Sequence, residues 1–318
     1  MKPPRAQRGI ALLTAIILVA IATIVAVSVA WQNALHARRA VAVFTLDQSV
    51  AYAQFAEAGA AALLQQNRQA NPQIVSPQQA WAKPQGPMEV DTGAVLEGWM
   101  EDQAGKFNLN SLVMQPNPGG PLQTNQAAVT QFAYLLQTLN INTSLAARVA
   151  DWIDSDIQPS NQGGAEDSYY LAQDPPYRTA NMALVSVSEL LAMGLDRASY
   201  DKLKDLVTVL PVNTKLNLCT APGDVLDSLT GQSSFGIDPK QLAQQRAQFP
   251  CFPSLAQFTG TLPPAQKQAL GTQLGTTSNY FRLRTWVTIG TTRFTLYSLL
   301  EQDPGGQIRV LLRTFGTE

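Results

Sequence analysis

The hydrophobic pattern opens with an unbroken run. From Ile10 to Trp31 there is no charged residue, and the only polar positions are Thr14, Thr23 and Ser28. At about 1.5 Å per residue this run makes a helix of roughly 33 Å, enough to cross a ~30 Å hydrocarbon core. The helical pattern does not stop there. No proline falls between Pro4 and Pro72, and Gly59 is the one glycine between Gly9 and Gly86. Phe44, Ala51, Phe55, Ala58 and Ala62 recur at spacings of three, four or seven, giving one apolar face on an otherwise polar continuation. The pattern predicts a single helix over about 10–66, halted by Asn71-Pro72.

Beyond the helix, a loop with Pro84, Gly86 and Pro87 leads to a strand-like run at 94–100. Asp102 to Gly105 reads as a turn, and 106–110 as a second short strand. From Asn125 to about Asp156 the period becomes helical, carried by Val129, Phe132, Leu135, Leu136 and Leu139, then Leu145, Val149, Trp152 and Ile153. Ser186 and Glu189 form a capping box ahead of Leu190 and Leu191, and Asp196 opens another helix. Helical patterns return at 239–248, 254–258 and 263–270. The period then switches to two: Phe281, Leu283, Val287 and Ile289 alternate with Tyr280, Arg282, Arg284 and Trp286. Segments 280–289, 293–300 and 308–315 read as a three-stranded antiparallel meander.

Strands therefore flank a helical block. A hairpin over 94–110 is marginal alone, so it most simply joins the terminal meander in one sheet. The expected fold is α+β: a long N-terminal helix packed on an antiparallel sheet, interrupted by a large inserted all-helical domain. The boundaries are 1–9 as a leader, 10–70 as the transmembrane and stem helix, 71–110 as the first part of the α+β domain, 111–275 as the insertion, and 276–318 as the completing strands. An internal echo links Lys106-Phe-Asn-Leu-Asn-Ser111 with Lys215-Leu-Asn-Leu-Cys-Thr220. In each, the hydroxyl residue is placed to cap the helix that follows.

Charge changes this picture little. A net charge of −1 with 14% charged residues gives no basic field for nucleic acid and no acidic tail. The two cysteines, Cys219 and Cys251, lie far beyond the apolar helix. If the body is outside the cytoplasmic membrane they can oxidise to one bridge; two buried thiols are the alternative. Basic residues lie on both sides of the span, Lys2, Arg5 and Arg8 before it and Arg38 and Arg39 after, so the orientation is weakly set.

Chemistry concentrates in one stretch. Asp151, Asp154, Asp156, Glu166, Asp167 and Asp174 fall within residues 151–174. Asp151 and Asp154 are one turn apart on one helix face, and the first three sit where that helix must end, opposing its macrodipole. A divalent cation removes that cost. Oxygen ligands with no nearby histidine or cysteine favour calcium. The spacing is not an EF-hand, because Pro159 stands where that loop needs glycine, and a solvated acidic loop is the plainer reading. Tyr169, Tyr170 and Tyr177 read as packing over the loop. Catalysis is disfavoured: the one histidine, His36, lies on the stem, so a Ser-His-Asp or Cys-His site has no base.

A basic leader, Gly9, an apolar helix and an amphipathic continuation resemble the N-terminus of type IV pilins and pseudopilins. That resemblance implies cleavage by a prepilin peptidase between Gly9 and Ile10, followed by methylation. An ordinary signal anchor is the alternative. Most of the family carries glutamate five residues into the mature helix; here it is Thr14, a departure that points to general secretion pathway protein K. The wording of that family is found at Gly105-Lys-Phe-Asn-Leu-Asn110, Asp151-Trp-Ile-Asp-Ser-Asp156, Gly164-Ala-Glu-Asp-Ser-Tyr-Tyr170 and Pro175-Pro-Tyr-Arg-Thr-Ala-Asn181. At Cys219 the chain departs from the more usual Asn-Thr-Ala.

The resemblance implies a non-enzymatic minor pseudopilin of the type II secretion system, a single-pass inner-membrane protein with its body in the periplasm. It also implies calcium in the inserted domain and other minor pseudopilins as partners through the stem; Thr14 and the bulk of the insertion add the expectation of a place at the pseudopilus tip. Contact with exported cargo is a further candidate. Two other readings stay open, a minor pilin of a type IV pilus and a calcium-dependent periplasmic binding protein on a signal anchor.

Overall fold

The computed structural model describes residues 8–160, 163–260 and 262–316. The leader's residues 1–7 lie outside them; Gly9 and Ile10 belong to the first turn of the long helix. That helix, α1, runs Arg8–Ala70 over 63 residues, about 95 Å long, because no breaker interrupts it before Asn71-Pro72.

Five strands form one antiparallel sheet against its C-terminal part: β1 Gln85–Asp91 and β2 Ala94–Asp102, then, across the insertion, β9 Tyr280–Ile289, β10 Thr292–Gln302 and β11 Ile308–Phe315, in the order β1-β2-β9-β10-β11. The predicted meander is present. The N-terminal hairpin is shifted from its expected place. It comprises β1 and β2, turning at Gly93 with φ +76°, where L side chains are strained. Segment 85–91 carries Pro87 and reads as loop, yet it forms the edge strand, with Pro87 in a register shift between Gln85 and Met88, and edges and bulges are where a sheet accepts proline.

Segment 106–110 is not in this sheet. Its strand β3 Phe107–Asn108 pairs in parallel with Val207–Thr208 inside the insertion, and Phe107 and Leu109 sit in the insertion's core. The helical block therefore starts ahead of Ser111.

The stem meets the sheet through a face other than its periodic apolar one. The residues turned to the sheet are Ser49, Ala53, Glu57, Ala60 and Leu64, all buried, with Leu96, Met100, Phe281, Leu283, Val287, Leu296 and Leu300 opposite them. The predicted apolar face lies on the other side. Phe44 is 69% exposed and Phe55 57%, and Ala51, Ala58 and Ala62 are exposed with them. Small residues let the helix approach the sheet closely, while Glu57 is matched by Arg313 at 2.8 Å on both carboxylate oxygens and by the Ser298 hydroxyl at 2.6 Å. Thr14 bonds the carbonyl of Ala11 at 3.0 Å; threonine hydroxyls in helices reach the i−3 or the i−4 carbonyl.

The insertion carries the short strands β4 Val113–Met114, β5 Gln123–Thr124, β6 Val207–Thr208, β7 Leu216–Asn217 and β8 Leu274–Gly275. Its helices are α2 Gln126–Thr138, α3 Leu145–Ile153, α4 Asp167–Tyr170, α5 Glu189–Ala192, α6 Arg197–Leu203, α7 Gly223–Thr230, α8 Pro239–Gln248, α9 Leu255–Thr259 and α10 Pro264–Gln273. Asn125 and Asp196 cap α2 and α6 as their sequence suggests. The Ser186–Glu189 box is half formed: Glu189 accepts from the Ser186 amide at 2.9 Å, but the Ser186 hydroxyl takes the amide of Ser188. One core, with Phe132, Leu135, Leu136, Val149, Ile153, Leu190 and Leu226 fully buried, holds these helices together, α8 apart.

The echoed hexapeptides share a geometry, though not the capping role. Asn108 and Asn217 each accept from the amide two residues on, Asn110 and Cys219, at 3.1 Å. Ser111 donates back to the carbonyl of Asn108 at 2.6 Å, and Thr220 lies 3.4 Å from that of Asn217 while giving its proton to Asp102, so neither hydroxyl caps a helix. Both words encode the same side-chain-locked turn after a parallel bridge. The second turn is also the junction to the sheet. Asp102, buried at the end of β2, accepts from Asn217 Nδ2 at 2.8 Å and Thr220 Oγ1 at 2.6 Å, and burial pushes its carboxyl above the usual range. Between them, Cys219 is bridged to Cys251 with Cα atoms 4.5 Å apart.

Candidate functional site

The acidic stretch folds around the C-terminus of α3. This helix is strongly amphipathic, so Val149, Ala150 and Ile153 draw its end into the core and take Asp151 with them, fully buried. Asp151 Oδ1 accepts from the Ser160 hydroxyl at 2.5 Å and Oδ2 from the Ser160 amide at 3.0 Å. Gly164 passes so close to Asp151 that a Cβ there would lie 1.9 Å from Oδ2. The Gly163-Gly164 pair, loose by composition, is thus a close-packed wall of the site.

Asp154, the first residue past the helix, turns extended and is 3% exposed. Asp156 is exposed, and Glu166, ahead of α4, is 1% exposed. One carboxylate oxygen from each of these three lies within 4.8 Å of the others. Asp154 Oδ2 is held by Thr124 at 2.7 Å and Asp156 Oδ1 by the Gln158 amide at 2.8 Å. The remaining atoms have no such partner: Asp154 Oδ1, both oxygens of Glu166 and the nearby Asn181 Oδ1 are buried without a hydrogen bond among the described residues. Burial, reinforced by the charges of Asp156 and Asp151, pushes Asp154 up to about 6. Burial, with Asp151 and Asp154 nearby, pushes Glu166 up to about 7.

The other predicted ligands are elsewhere. Asp167 accepts from the amide and hydroxyl of Thr179 at 3.1 and 3.0 Å and pairs with Arg178 at 3.4 Å, so it shapes the loop. Asp174 is exposed, outside the group of three. Asp151 stands behind the cluster, occupied by Ser160. Asn181 escaped the sequence reading. Its signal was its place at the end of the Pro175–Asn181 word; its positive φ of 47° and its bond to the Asp156 carbonyl show only in the fold. Tyr170 is fully buried and packs edge-on to Trp152 at 5.0 Å, with Tyr177 5.3 Å away, so the tyrosines form the floor of the loop. Buried, unpaired oxygen acceptors converging without nitrogen or sulfur ligands fit a hard divalent cation.

A long helix, apolar at its N-terminal end, laid on an antiparallel sheet that a helical block interrupts, defines a pilin-type subunit with an insertion. Comparison with known proteins narrows the class. The family described as type II secretion system (T2SS), protein K matches residues 105–212. A type II secretion system protein K from Pseudomonas aeruginosa is 33% identical over 98% of this chain and 94% of its own length; one from Klebsiella pneumoniae is 31% identical, covering 98% and 97%. The crystal structure of the GspK-GspI-GspJ complex from enterotoxigenic Escherichia coli contains a chain similar at TM-score 0.74 and 27% identity, covering 88% of this chain and all of that one. The chain belongs to the type II secretion system protein K family, and it is a minor pseudopilin of that system.

Proposed function

We propose that this minor pseudopilin caps the tip of the periplasmic pseudopilus, meets other minor pseudopilins through its stem, and carries calcium in the inserted domain. The observation that carries the assembly reading is the apolar face of α1. Phe44, Ala51, Phe55, Ala58 and Ala62 share one side of the helix, opposite the side that packs on the sheet, and all are exposed. A helix face of this kind is covered by another amphipathic helix. The similar E. coli chain is found in a complex with GspI and GspJ, which supports minor pseudopilins as the occupants.

The tip position rests on Thr14 and on the insertion. In the pilin-type class a glutamate at that place meets the N-terminal ammonium of a neighbour within the apolar bundle; unpaired, it would suffer a desolvation cost of several kcal/mol. Thr14 satisfies its hydroxyl within its own helix. A large helical block is also hard to repeat along a packed shaft. Before assembly, α1 is long and apolar enough to cross a membrane, and we read it as a single inner-membrane span whose leader, 1–9, is removed by the prepilin peptidase before Ile10. The N-terminus is then methylated. Asp154, Asp156, Glu166 and Asn181 would hold the calcium, which supplies charge neutralisation and loop order. The chain is read as non-catalytic: its one histidine, His36, is exposed on the stem, away from the carboxylates.

Gold labelling of an epitope within the insertion tests the placement. Label at one end of each pseudopilus is expected; label spaced along the shaft would refute the tip assignment.

A further inference from the structure

We infer that Trp31, Leu35, Arg38 and Arg39 form an anionic-lipid collar that docks the unassembled subunit to phospholipid headgroups on the side of the membrane facing its body. The inference rests on reading α1 as a membrane span.

Among the described residues the positive charges here have no acidic partner. Asp47 is the first acidic residue of the sequence, eight positions past Arg39, which is about 12 Å along the helix. Arg38 and Arg39 are exposed, and the first buried residue of α1 is Ser49. An ion pair at i+3 or i+4, the ordinary partner for a helical arginine, is excluded by sequence: Ala42 and Val43 occupy those places relative to Arg39.

The spacing suits a lipid boundary. Trp31 closes the uncharged run and is 71% exposed; Leu35 and Arg38 follow at i+4 and i+7 on the same face. An indole belongs at the edge of the hydrocarbon, with its apolar body inside and its N–H at headgroup level. Arg38 is seven residues beyond it, about 10 Å farther along the axis. Side chains on a helix lean toward its N-terminus, which here is the membrane end. An extended arginine leaning back brings its guanidinium into the headgroup layer, roughly 5–7 Å deep on each side. Phosphate offers the planar, bidentate acceptor that guanidinium fits best. Charge complementarity and depth both select a phospholipid with net negative charge.

The test uses full-length protein with its native disulfide and a fluorophore on Ala34→Cys, reconstituted in phosphatidylcholine vesicles holding a minority of phosphatidylglycerol. Bromine is carried on one lipid or the other. Quenching by brominated phosphatidylglycerol, per mole fraction, should exceed that by brominated phosphatidylcholine about two- to five-fold. The ratio should fall to one in R38Q/R39Q and be largely kept in R38K/R39K. Equal quenching in the unaltered chain, or an undiminished ratio in R38Q/R39Q, overturns the collar. No quenching by either lipid would mean that the helix is not inserted, and so sinks the membrane reading itself. A ratio of one in the unaltered chain, together with lost co-purification of a partner pseudopilin in R38Q/R39Q, assigns the arginines to a neighbour's carboxylate and overturns the lipid.

Discussion

The stem and the inserted block spend their hydrophobic residues in opposite ways. In the block most helices close their apolar faces on a common core, and even carboxylates are drawn inside: Asp151 is fully buried, with Asp154 and Glu166 nearly so. On the stem the largest apolar side chains of its periodic face, Phe44 and Phe55, stay outside, while alanines, a serine, a glutamate and Leu64 face the sheet. A periodic apolar face says that something will cover it. It does not say whether the cover belongs to the same chain. In the stem, close approach to the sheet is achieved by small residues and one matched ion pair, and the bulky face is left for another molecule.

The contrast makes the block self-sufficient and therefore sensitive to its own staples. The largest effect is expected from the Cys219–Cys251 bridge, whose cysteines are 32 residues apart. The chain-entropy account gives roughly 3–4 kcal/mol for a loop of that length. C219S/C251S should lower the stability of the periplasmic part by about that amount in denaturant titration. Because Cys219 lies between Asn217 and Thr220, which hold Asp102, the loss should also be seen by a probe on the sheet. A shift below about 1 kcal/mol would mean that the bridge is not a staple of the fold.

How much of this could be read in the sequence follows from which forces are local. The uninterrupted helix, the Asn125 and Asp196 caps and the two-residue period of β9 and β10 are local signals, and all are in the structure. The errors came where tertiary context decides. β1 carries loop residues but is tolerated at an edge; Phe107–Asn108 reads as a strand, and its partner lies a hundred residues away in the block. The stem's apolar face is legible from its period, but the period does not say whether the sheet or another molecule covers it. At the candidate site, clustering of acids along the chain suggested six ligands. The fold brings three together, because Asp151 is taken by Ser160 and Asp167 by Thr179. Neither hydroxyl was within helical reach of its acid, so no pattern announced them.

A next, somewhat smaller effect is expected from calcium. At 100 times its dissociation constant an ion bound to the folded state alone adds about 2.7 kcal/mol. Chelation should lower the melting temperature, and D154A/D156A should abolish the response; an unchanged melt with and without chelator counts against the site. The pH dependence has a definite sign. Without the ion, Asp154 near 6 and Glu166 near 7 are raised above the ordinary 3.8 and 4.5, so between about pH 4 and 7 the folded state holds more protons than the unfolded. Stability of the ion-free protein should therefore fall as pH rises through that window. Calcium replaces those protons, so its stabilising shift should grow from pH 5 to pH 7.5. A shift that shrinks over the same range would place the ion elsewhere.

The smallest effect on stability, and the sharpest test of the contrast, is Phe55→Gln. In the block a buried aromatic such as Phe132 would cost about 3–5 kcal/mol on truncation, because a cavity is left behind. Phe55 is 57% exposed and leaves no cavity, so the change should alter the melting temperature of the isolated chain by no more than an ordinary surface substitution, within about 0.5 kcal/mol. Its consequence should instead be seen in assembly, because an aromatic at the centre of a helix–helix contact is a common anchor. Capture of the other minor pseudopilins by the chain should weaken at least ten-fold, while Gln54→Ala, one position to the side, serves as the control. The two readouts move separately only if the face is built for a partner. A large loss of stability with capture intact would mean that Phe55 packs within its own chain, and the division between a self-contained block and an outward-facing stem would fall.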